Sequence, residues 1–433
     1  MSRLWIKEGS FITMASHQPE VLRGHMVVED GVIQYIGENE PAASVQEQAV
    51  IINGQGLLFM PGLVNTHGHA PMSLLRGFSD DQKLQVWLQE KMWPMEAKYS
   101  EADTKAGSDL AIAEMLLSGT TTFVDMYDRM EQVAQASIDA GIRAFLARGM
   151  IGLGSVEEQV SKLEDAVAFA KQWNGAGEGR IQTMLAPHAP YTCPPAFIER
   201  IVQAAHDLDL PLHTHMSETS AEVQQNVDDY GKRPVDHLEE LGFFTRPALL
   251  AHAVHLTDDE IAKLAQLDAS ISHNPISNLK LASGVARVPE LLRAGVKLSL
   301  GTDSAASNNN LDLFQEIRAA ALLHKGVSGD PTVVPAHTAL ALGTSMGAQA
   351  IWHNHIGTLE TGKAADFIAI NIDQPHFFPR TDLVSHLVYA ANGRDVEHVW
   401  VAGKQLVKHR QLLTMDEEKI RSEAQASFER LLT

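Results

Sequence analysis

The sequence contains a single cysteine, Cys193, among 433 residues. One thiol excludes an internal disulfide, and it excludes zinc fingers and the cytidine-deaminase type of zinc site, which need two or more thiolates. A metal bound to this chain would therefore need histidine or carboxylate ligands, and the sequence supplies 20 histidines. Because so little cysteine is typical of a reducing compartment, we expect a cytoplasmic protein.

Positive charge is also scarce. The chain has 34 Lys and Arg residues against 54 Asp and Glu residues, which gives a formal net charge of −20. Such an acidic surface repels phosphate backbones and anionic lipids, so we expect neither nucleic acid nor a membrane as a partner. No apolar run approaches the ~20 residues of a membrane-spanning helix, and the first residues lack the apolar stretch of a signal peptide.

The middle of the chain alternates between short apolar runs and helical patterns. The eight predicted strands are residues 58–65, 120–125, 143–148, 181–187, 210–215, 248–252, 269–272 and 296–302. Parallel strands that are buried on both faces read as continuous apolar runs of this kind. About eight strand–helix units predict an α/β fold with a TIM-like (β/α)8 barrel. The alternative is a doubly wound open sheet, which we disfavour because no G-x-G-x-x-G follows a strand.

Both ends of the chain carry β patterns. Residues 27–36 alternate around Asp30 and Gly31, the signal of a hairpin, and residues 365–370 and 396–401 form further β segments. The two ends can pair into a small β-sandwich, with the barrel as an insertion between them. The predicted divisions are residues 1–60 and 357–410 for the two parts of the sandwich, 61–356 for the barrel and 411–433 for a C-terminal helix.

Histidine and aspartate recur where the predicted barrel strands end. These residues are His67 and His69 on the first strand, His188 on the fourth, His213 and His215 on the fifth, His252 on the sixth and Asp303 on the eighth. One histidine at a strand end is usually structural, but five of eight strand ends are not easily explained in that way. Because the carboxyl ends of barrel strands meet on one face, we predict a metal site there. Imidazole and carboxylate ligands suit Zn²⁺ or Fe²⁺ better than Ca²⁺ or Mg²⁺.

These motifs resemble those of the amidohydrolase superfamily of metal-dependent hydrolases. The resemblance implies that His67, His69, His215 and Asp303 are the metal ligands. Members with two metals carry a carboxylated lysine at the end of the fourth strand, where this chain has residues 185–188 and no lysine. The resemblance therefore implies one divalent ion, zinc first and iron as the alternative. It also implies a homo-oligomer.

A narrower resemblance concerns the loops around these motifs. Residues 61–77, 93–96, 216–219 and 272–275 are similar to those of the 5′-methylthioadenosine/S-adenosylhomocysteine deaminase family. This implies a small-molecule nucleoside substrate, with methylthioadenosine, adenosylhomocysteine or adenosine converted to the inosyl product and ammonia.

The same resemblance implies three catalytic residues. Glu218 would protonate N1 of the purine ring, and His252 would donate a hydrogen bond to the attacking oxygen. Asp303 would take a proton from the attacking water and help to pass it to the departing ammonia.

Further residues would contact the substrate. Glu96 follows His69 by 27 residues, an offset that matches the ribose-binding glutamate of the family, and Trp87 would wall the pocket. His188 would hydrogen-bond the purine or the sugar, Glu218 would contact the ring, and Arg148 would receive a substrate carboxylate. Relatives carry a second arginine soon after the position of Arg148. This chain has none there, which favours an uncharged thioether nucleoside.

Two alternatives remain. The same metal chemistry could act on another aminopurine or a triazine, as a deaminase or a chlorohydrolase. Glu96 argues against this, because a ribose-binding acid has no purpose with a free base or a triazine. The non-enzyme alternative is a silent scaffold of the same fold. We disfavour it because all four ligand positions, Glu218 and His252 are filled.

Overall fold

The structure is a computed structural model that describes residues 3–18, 20–46 and 49–433. Its strands are β1 (Arg3–Phe11), β2 (Leu22–Glu29), β3 (Val32–Gly37), β4 (Ala49–Asn53), β5 (Leu57–Pro61), β6 (Leu63–Asn65), β7 (Thr120–Tyr127), β8 (Arg143–Met150), β9 (Ile181–Pro187), β10 (Leu212–Met216), β11 (Ala248–His252), β12 (Ala269–His273), β13 (Lys297–Leu300), β14 (Phe367–Asn371), β15 (Val396–Val401), β16 (Lys404–Lys408) and β17 (Gln411–Leu412).

The helices cover Ala43–Gln46, Leu84–Val86, Trp93–Glu96, Glu101–Leu117, Met130–Ala140, Val156–Trp173, Pro195–Leu208, Ser220–Tyr230, Pro234–Glu240, Asp258–Leu264, Pro275–Lys280, Val288–Ala294, Ala305–Asn308, Leu313–Ser328, Ala336–Leu342, Ser345–Ala350, Leu383–Tyr389 and Glu417–Leu432. A 3₁₀ helix of two turns lies at Ala70–Leu75, single 3₁₀ turns lie at Pro190–Thr192, Phe243–Thr245, Pro375–Phe377 and Gly393–Asp395, and Trp87–Met92 is a π-helical turn. In the described parts of the chain, no helix is long and apolar enough to cross a membrane.

The strands β6 to β13 form a barrel in chain order, and each neighbouring pair is parallel. The first and last strands approach each other through Thr66, whose backbone N–H donates to the carbonyl of Leu300 at 2.9 Å. The hydroxyl of Thr66 donates to the same carbonyl at 2.9 Å. The predicted barrel of eight parallel strands is confirmed, and the histidine-bearing strand ends lie together on its carboxyl face.

The first predicted strand is wrong in one respect. We expected residues 58–65 to form a single barrel strand, but the chain changes sheets at Gly62. Strand β5 pairs antiparallel with β14, whereas β6 begins the barrel beside β7. A Cβ atom at Gly62 would lie 2.0 Å from the hydroxyl oxygen of Thr121, so only glycine fits this crossing point. The sequence shows one continuous apolar run here because β5 and β6 are both buried, so the change of sheet between them leaves no polar residue.

The chain ends meet in a separate sheet. Its nine strands within the described residues run in the order β17, β16, β15, β14, β5, β1, β2 and β3, with β4 paired to β1. We expected a small β-sandwich, whereas the strands of both chain ends are hydrogen-bonded into one continuous sheet. Side chains from both ends also share one core. Phe367 stacks on Trp400 with ring centroids 4.6 Å apart, and both belong to the same buried cluster as Ile6 and Met26.

The structure also contains the predicted hairpin and C-terminal helix, although Gln411–Leu412, which we assigned to the C-terminal helix division 411–433, forms strand β17 of the sheet. The hairpin turn lies at Asp30 and Gly31, whose φ values of 47° and 82° suit the turns that join two strands directly. Near the other end, the predicted C-terminal helix begins at Glu417 and ends at Leu432.

Candidate active site

The carboxyl face of the barrel opens into a cavity of about 350 Å³. Several residues singled out from the sequence line it, namely His69, Trp87, Glu96, His188, His215, Glu218, His252 and Asp303. His67 lies beneath the cavity floor and is fully buried. The volume is that of a small-molecule site.

The ring of His67 is oriented by a second histidine. Nδ1 of His213 donates to the carbonyl of Leu249 at 2.8 Å, because a carbonyl can only accept. Burial lowers the pKa of His213 to about 4, so this ring is neutral and its Nε2 is an acceptor. It accepts from Nδ1 of His67 at 3.0 Å. The lone pair of His67 is therefore on Nε2, which is buried and has no hydrogen-bond partner among the described residues.

His69 and His215 are held by backbone carbonyls in a similar way. Nδ1 of His69 donates to Met126 at 2.5 Å, and Nδ1 of His215 donates to His188 at 2.7 Å. Their Nε2 atoms, which carry the lone pairs, lie 3.3 Å apart. Metal-ligating histidines commonly donate their other N–H to a carbonyl in this manner.

A carboxylate completes this group. Oδ1 of Asp303 lies 3.5 Å from Nε2 of His67 and 3.4 Å from Nε2 of His69. Oδ2 of Asp303 accepts hydrogen bonds from the hydroxyls of Ser277 at 2.7 Å and Ser307 at 3.0 Å, which fixes the direction of the carboxylate.

In these tautomers the Nε2 atoms of the three imidazoles and the carboxylate present acceptors to one another. Burial lowers the pKa of His67 and of His215 well below the ordinary value, so protonation of these two rings does not relieve this arrangement. A bound cation would satisfy these acceptors. Two overlapping groups have ligand atoms within 4.8 Å of one another, namely His67 with His69 and Asp303, and His67 with His215 and His252. The donor set fits a borderline divalent ion.

The backbone is unusual at two of these strand ends. His252 and Asp303 have φ values of 75° and 60°, in the left-handed region that residues with a Cβ rarely adopt. Strain of this kind is concentrated at functional sites. Here it allows the side chain at the end of a strand to point into the cavity.

Glu218 and His252 lie beside the histidine group. Nε2 of His252 is 3.7 Å from Oε2 of Glu218, while its Nδ1 contacts the side chains of Asn274 and Asn278. Oε1 of Glu218 accepts from the hydroxyl of Ser283 at 3.1 Å. Burial, assisted by the negative charge of Asp303, raises the pKa of Glu218 to about 8. The carboxyl group therefore retains its proton at neutral pH and can act as an acid.

Sequence reasoning missed Glu222. This buried carboxylate accepts the backbone N–H groups of Ser217 and Glu218, each at 2.8 Å, and so holds the loop that carries Glu218. A signal was available, because Thr219 and Glu222 have the spacing of a capping box. Thr219 does cap the helix Ser220–Tyr230, accepting from the N–H of Glu222.

The predicted substrate contacts Glu96 and His188 both face the cavity. Burial raises the pKa of Glu96, although the nearby hydroxyl of Tyr127 opposes the shift. Nδ1 of His188 lies 3.0 Å from the hydroxyl of Thr192, whose own proton goes to the carbonyl of Ala189. His188 is thus the donor, and its Nε2 remains free to accept.

Arg148 lies elsewhere. Its guanidinium pairs with Asp128 at 3.0 Å and with Glu131 at 3.1 Å, and it does not line the cavity in the described chain. Alternation along β8 explains this, because Phe145 and Ala147 face the barrel interior whereas Arg148 shares its side of the strand with Leu146.

Two charged residues that the sequence reasoning did not single out do line the cavity, Asp128 and Arg129. They follow β7 at the carboxyl end of the barrel. Because the active sites of such barrels lie at the carboxyl ends of the strands, their position in the sequence directly after β7 was the available signal.

Residues 58–406 match the amidohydrolase family. A 5-methylthioadenosine/S-adenosylhomocysteine deaminase from Halalkalibacterium halodurans is 50% identical over 429 residues, which cover 98% of each chain. The chain belongs to the amidohydrolase family. The resemblance drawn from its motifs is confirmed.

Two further relatives extend the likeness of this amidohydrolase. A 5'-deoxyadenosine deaminase from Methanosarcina acetivorans is 44% identical over 432 residues, covering 100% of this chain and 99% of the relative. A crystal structure of an adenosine deaminase from Xanthomonas campestris with bound zinc superposes with a TM-score of 0.92 at 36% identity, covering 100% of this chain and 99% of that chain. The metal-dependent family and the convergent donors together support a metal in this amidohydrolase.

Proposed function

We propose that this amidohydrolase is a hydrolytic deaminase of adenosine-type nucleosides that carry an uncharged 5′ group, with 5′-methylthioadenosine as the main candidate. The products would be the inosyl nucleoside and ammonia. The observation that carries the proposal is the position of Glu218, a carboxyl group with a pKa of about 8, in one cavity with the convergent histidines and Glu96. The names of the relatives support the substrate class.

His67, His69, His215 and Asp303 would hold one divalent ion. Zinc is the first candidate, since a related adenosine deaminase contains it, and iron is the alternative. When bound, such an ion supplies an activated water as the nucleophile at neutral pH.

Side chains of the protein would then carry out the proton transfers. Glu218 gives its proton to N1 of the purine, which makes C6 electrophilic. Asp303 accepts a proton from the water as its oxygen adds to C6, and His252 directs that oxygen with a hydrogen bond. When the bond from C6 to the amino nitrogen breaks, the nitrogen leaves as ammonia with the proton that Asp303 received. The hydroxyl proton that remains on the adduct passes to Glu218 as C6 becomes a carbonyl, which restores the acid.

The cavity wall suits a nucleoside. The carboxylate of Glu96 can accept from both the 2′ and the 3′ hydroxyl of a ribose. The free Nε2 of His188 can accept one further hydrogen bond from the sugar or the purine. Trp87, which is buried in the wall, supplies an apolar surface. A free base or a triazine offers Glu96 no ribose hydroxyls to accept from, so the nucleoside is favoured.

The charges around the cavity favour an uncharged 5′ group. Glu96 and Asp128 line the wall outside the metal group, and Arg129 is the one basic side chain among the described lining residues. Its guanidinium donates to the carbonyl of Tyr99. Arg148, the predicted carboxylate receptor, already has two carboxylate partners. A carboxylate on the 5′ group would therefore find, among the described residues around the cavity, no arginine that lacks a partner.

The test is ammonia release from several substrates in parallel with the metal-loaded protein. We expect the highest kcat/KM for 5′-methylthioadenosine and 5′-deoxyadenosine, a lower value for S-adenosylhomocysteine, and none for guanine or a chlorotriazine. Turnover of guanine or the triazine, with none of the adenosine derivatives, would refute the proposal. We also propose a cytoplasmic homo-oligomer, which sedimentation of the purified protein and fractionation of cells would test.

A further inference from the structure

The C-terminal helix Glu417–Leu432 packs mainly on the helix Glu101–Leu117, and it also contacts residues of the segment that forms one wall of the cavity. Its apolar residues Ile420, Ala424, Phe428 and Leu431 recur at helical spacing and so lie along one face. Ala424 and Leu431 are buried in a cluster that also contains the wall residues Leu84, Trp87 and Met95. The helix is therefore part of the same packed layer as the wall.

One contact lies near the beginning of this wall segment. The ring of Phe428 meets the ring of Phe78 edge to face, with centroids 6.2 Å apart. The next residue, Ser79, accepts a hydrogen bond at its carbonyl from the indole N–H of Trp87 at 3.1 Å. Trp87 lines the cavity. Phe428 is thus linked to the cavity wall through two consecutive residues.

A second set of contacts lies near the end of the segment. Lys98 follows Glu96 by two residues, and its ammonium group donates to the carbonyl of Leu431 at 2.8 Å. Arg430 pairs with Asp103, which also caps the helix Glu101–Leu117 together with Ser100. The C-terminal helix therefore contacts both ends of residues 78–98, the segment that contributes Leu84, Trp87, Leu88, Trp93, Glu96 and Ala97 to the cavity.

The wall segment depends on such support. Its regular structure is one helical stretch made of Leu84–Val86, the π-helical turn Trp87–Met92 and Trp93–Glu96, which follow one another without a break. Short and irregular helical turns have little stability of their own, so their position is set by packing. The candidate metal ligands, by contrast, lie at the ends of buried barrel strands.

We propose that the C-terminal helix is a brace that holds the wall segment, residues 78–98, in place. Phe428 and Leu431 are then positioning residues that set the affinity for the nucleoside. The substrate in this inference rests on the proposed function. Neither side chain lines the cavity in the described chain. Their loss should loosen Trp87 and Glu96 while leaving the metal group intact.

Adjacent leucines provide a matched test. Leu431 is fully buried whereas Leu432 is 55% exposed, so Leu431→Ala and Leu432→Ala remove the same atoms from a buried and from an exposed position of the helix. We expect Leu431→Ala and Phe428→Ala to raise KM for 5′-methylthioadenosine about tenfold with kcat within about twofold of the parent. Leu432→Ala should match the parent, and Phe428→Leu, which keeps most of the apolar volume, should recover most of the affinity. Metal content should be the same in all variants.

Hydrogen exchange gives a readout that does not need turnover. Amides of residues 78–98 should exchange faster in Leu431→Ala and Phe428→Ala, and those around His67 and His215 should not. A fall in kcat at unchanged KM, loss of metal, or unaltered exchange in the wall segment would overturn the brace. If the parent deaminated no adenosine derivative, the proposed function would fail, while the exchange experiment would still decide whether the helix holds the wall.

Discussion

His213 accepts a hydrogen bond from His67 at 3.0 Å and at the same time donates to the carbonyl of Leu249. This chain fixes the proton of His67 on Nδ1 and directs the lone pair of its Nε2 toward His69, His215 and Asp303. His213, which lies near the start of β10 and two positions before the candidate ligand His215, therefore decides which nitrogen of the candidate ligand His67 is available.

Replacing His213 should weaken metal binding without removing a ligand. His213→Ala leaves Nδ1 of His67 without its acceptor, so the ring loses its orientation, and metal affinity should fall about 10- to 100-fold. Titration of the metal-free protein against a competing chelator measures this. His17, which is exposed, provides the control: His17→Ala should bind metal like the parent. Equal affinity in His213→Ala would show that the relay from Leu249 is dispensable.

Glu218 should be essential for turnover and dispensable for the metal. Glu218→Gln keeps the shape of the side chain but removes the acid that would protonate N1, so kcat should fall about 10²- to 10⁴-fold. Metal analysis and ammonia release on the same sample separate the two effects. The exposed Glu239→Gln variant should behave like the parent. Normal deamination by Glu218→Gln would remove Glu218 from the proton transfer.

The parts of the fold and site that could be predicted from the sequence are those with a local signature. Buried parallel strands left continuous apolar runs, and His67 and His69 shared one side of the chain through simple alternation. The division of the first strand at Gly62 left no such signature, because it depends on the distant side chain of Thr121.

Arg148 shows a different limit. Its position at a strand end suggested a role in the cavity, but the side of β8 on which it lies depends on register, which Phe145 and Ala147 reveal only once the barrel is assembled. For Glu222 the spacing from Thr219 signals only the start of a helix; the hydrogen bonds of its carboxylate to the backbone of Ser217 and Glu218 depend on how the preceding loop folds.

Arg148 leads to a prediction about selectivity. Because its guanidinium pairs with Asp128 and Glu131 on the side of β8 away from the barrel interior, Arg148→Met should not change the ratio of kcat/KM for 5′-methylthioadenosine to that for S-adenosylhomocysteine. Stability should fall by about 1 kcal/mol or less, as for other partly exposed ion pairs. Steady-state kinetics of the parent and of Arg148→Met with both substrates measure this ratio. A selective loss of S-adenosylhomocysteine turnover would mean that the arginine reaches the substrate.

Glu316 should make stability depend on pH. This fully buried carboxyl group accepts from Asn308 at 2.6 Å and from the N–H of Ile276 at 3.2 Å, and burial raises its pKa from 4.5 to about 8. Since the folded pKa lies above the unfolded one, the folded state holds the proton more tightly between these values. The stability that this contributes is complete below pH 4.5 and is lost as the pH rises toward 8.

Glu316→Gln removes that titration, because an amide stays neutral throughout. The free energy of unfolding of the variant relative to the parent should therefore rise between pH 5 and pH 8, by an amount on the order of 4 kcal/mol. Urea unfolding of the metal-free proteins at a series of pH values measures the difference, with the exposed Glu418→Gln as a control that should follow the parent. A difference that stays constant with pH would mean that Glu316 ionises in the folded protein as it does in the unfolded chain. In that case the amide would report only the altered hydrogen bonds to Asn308 and Ile276.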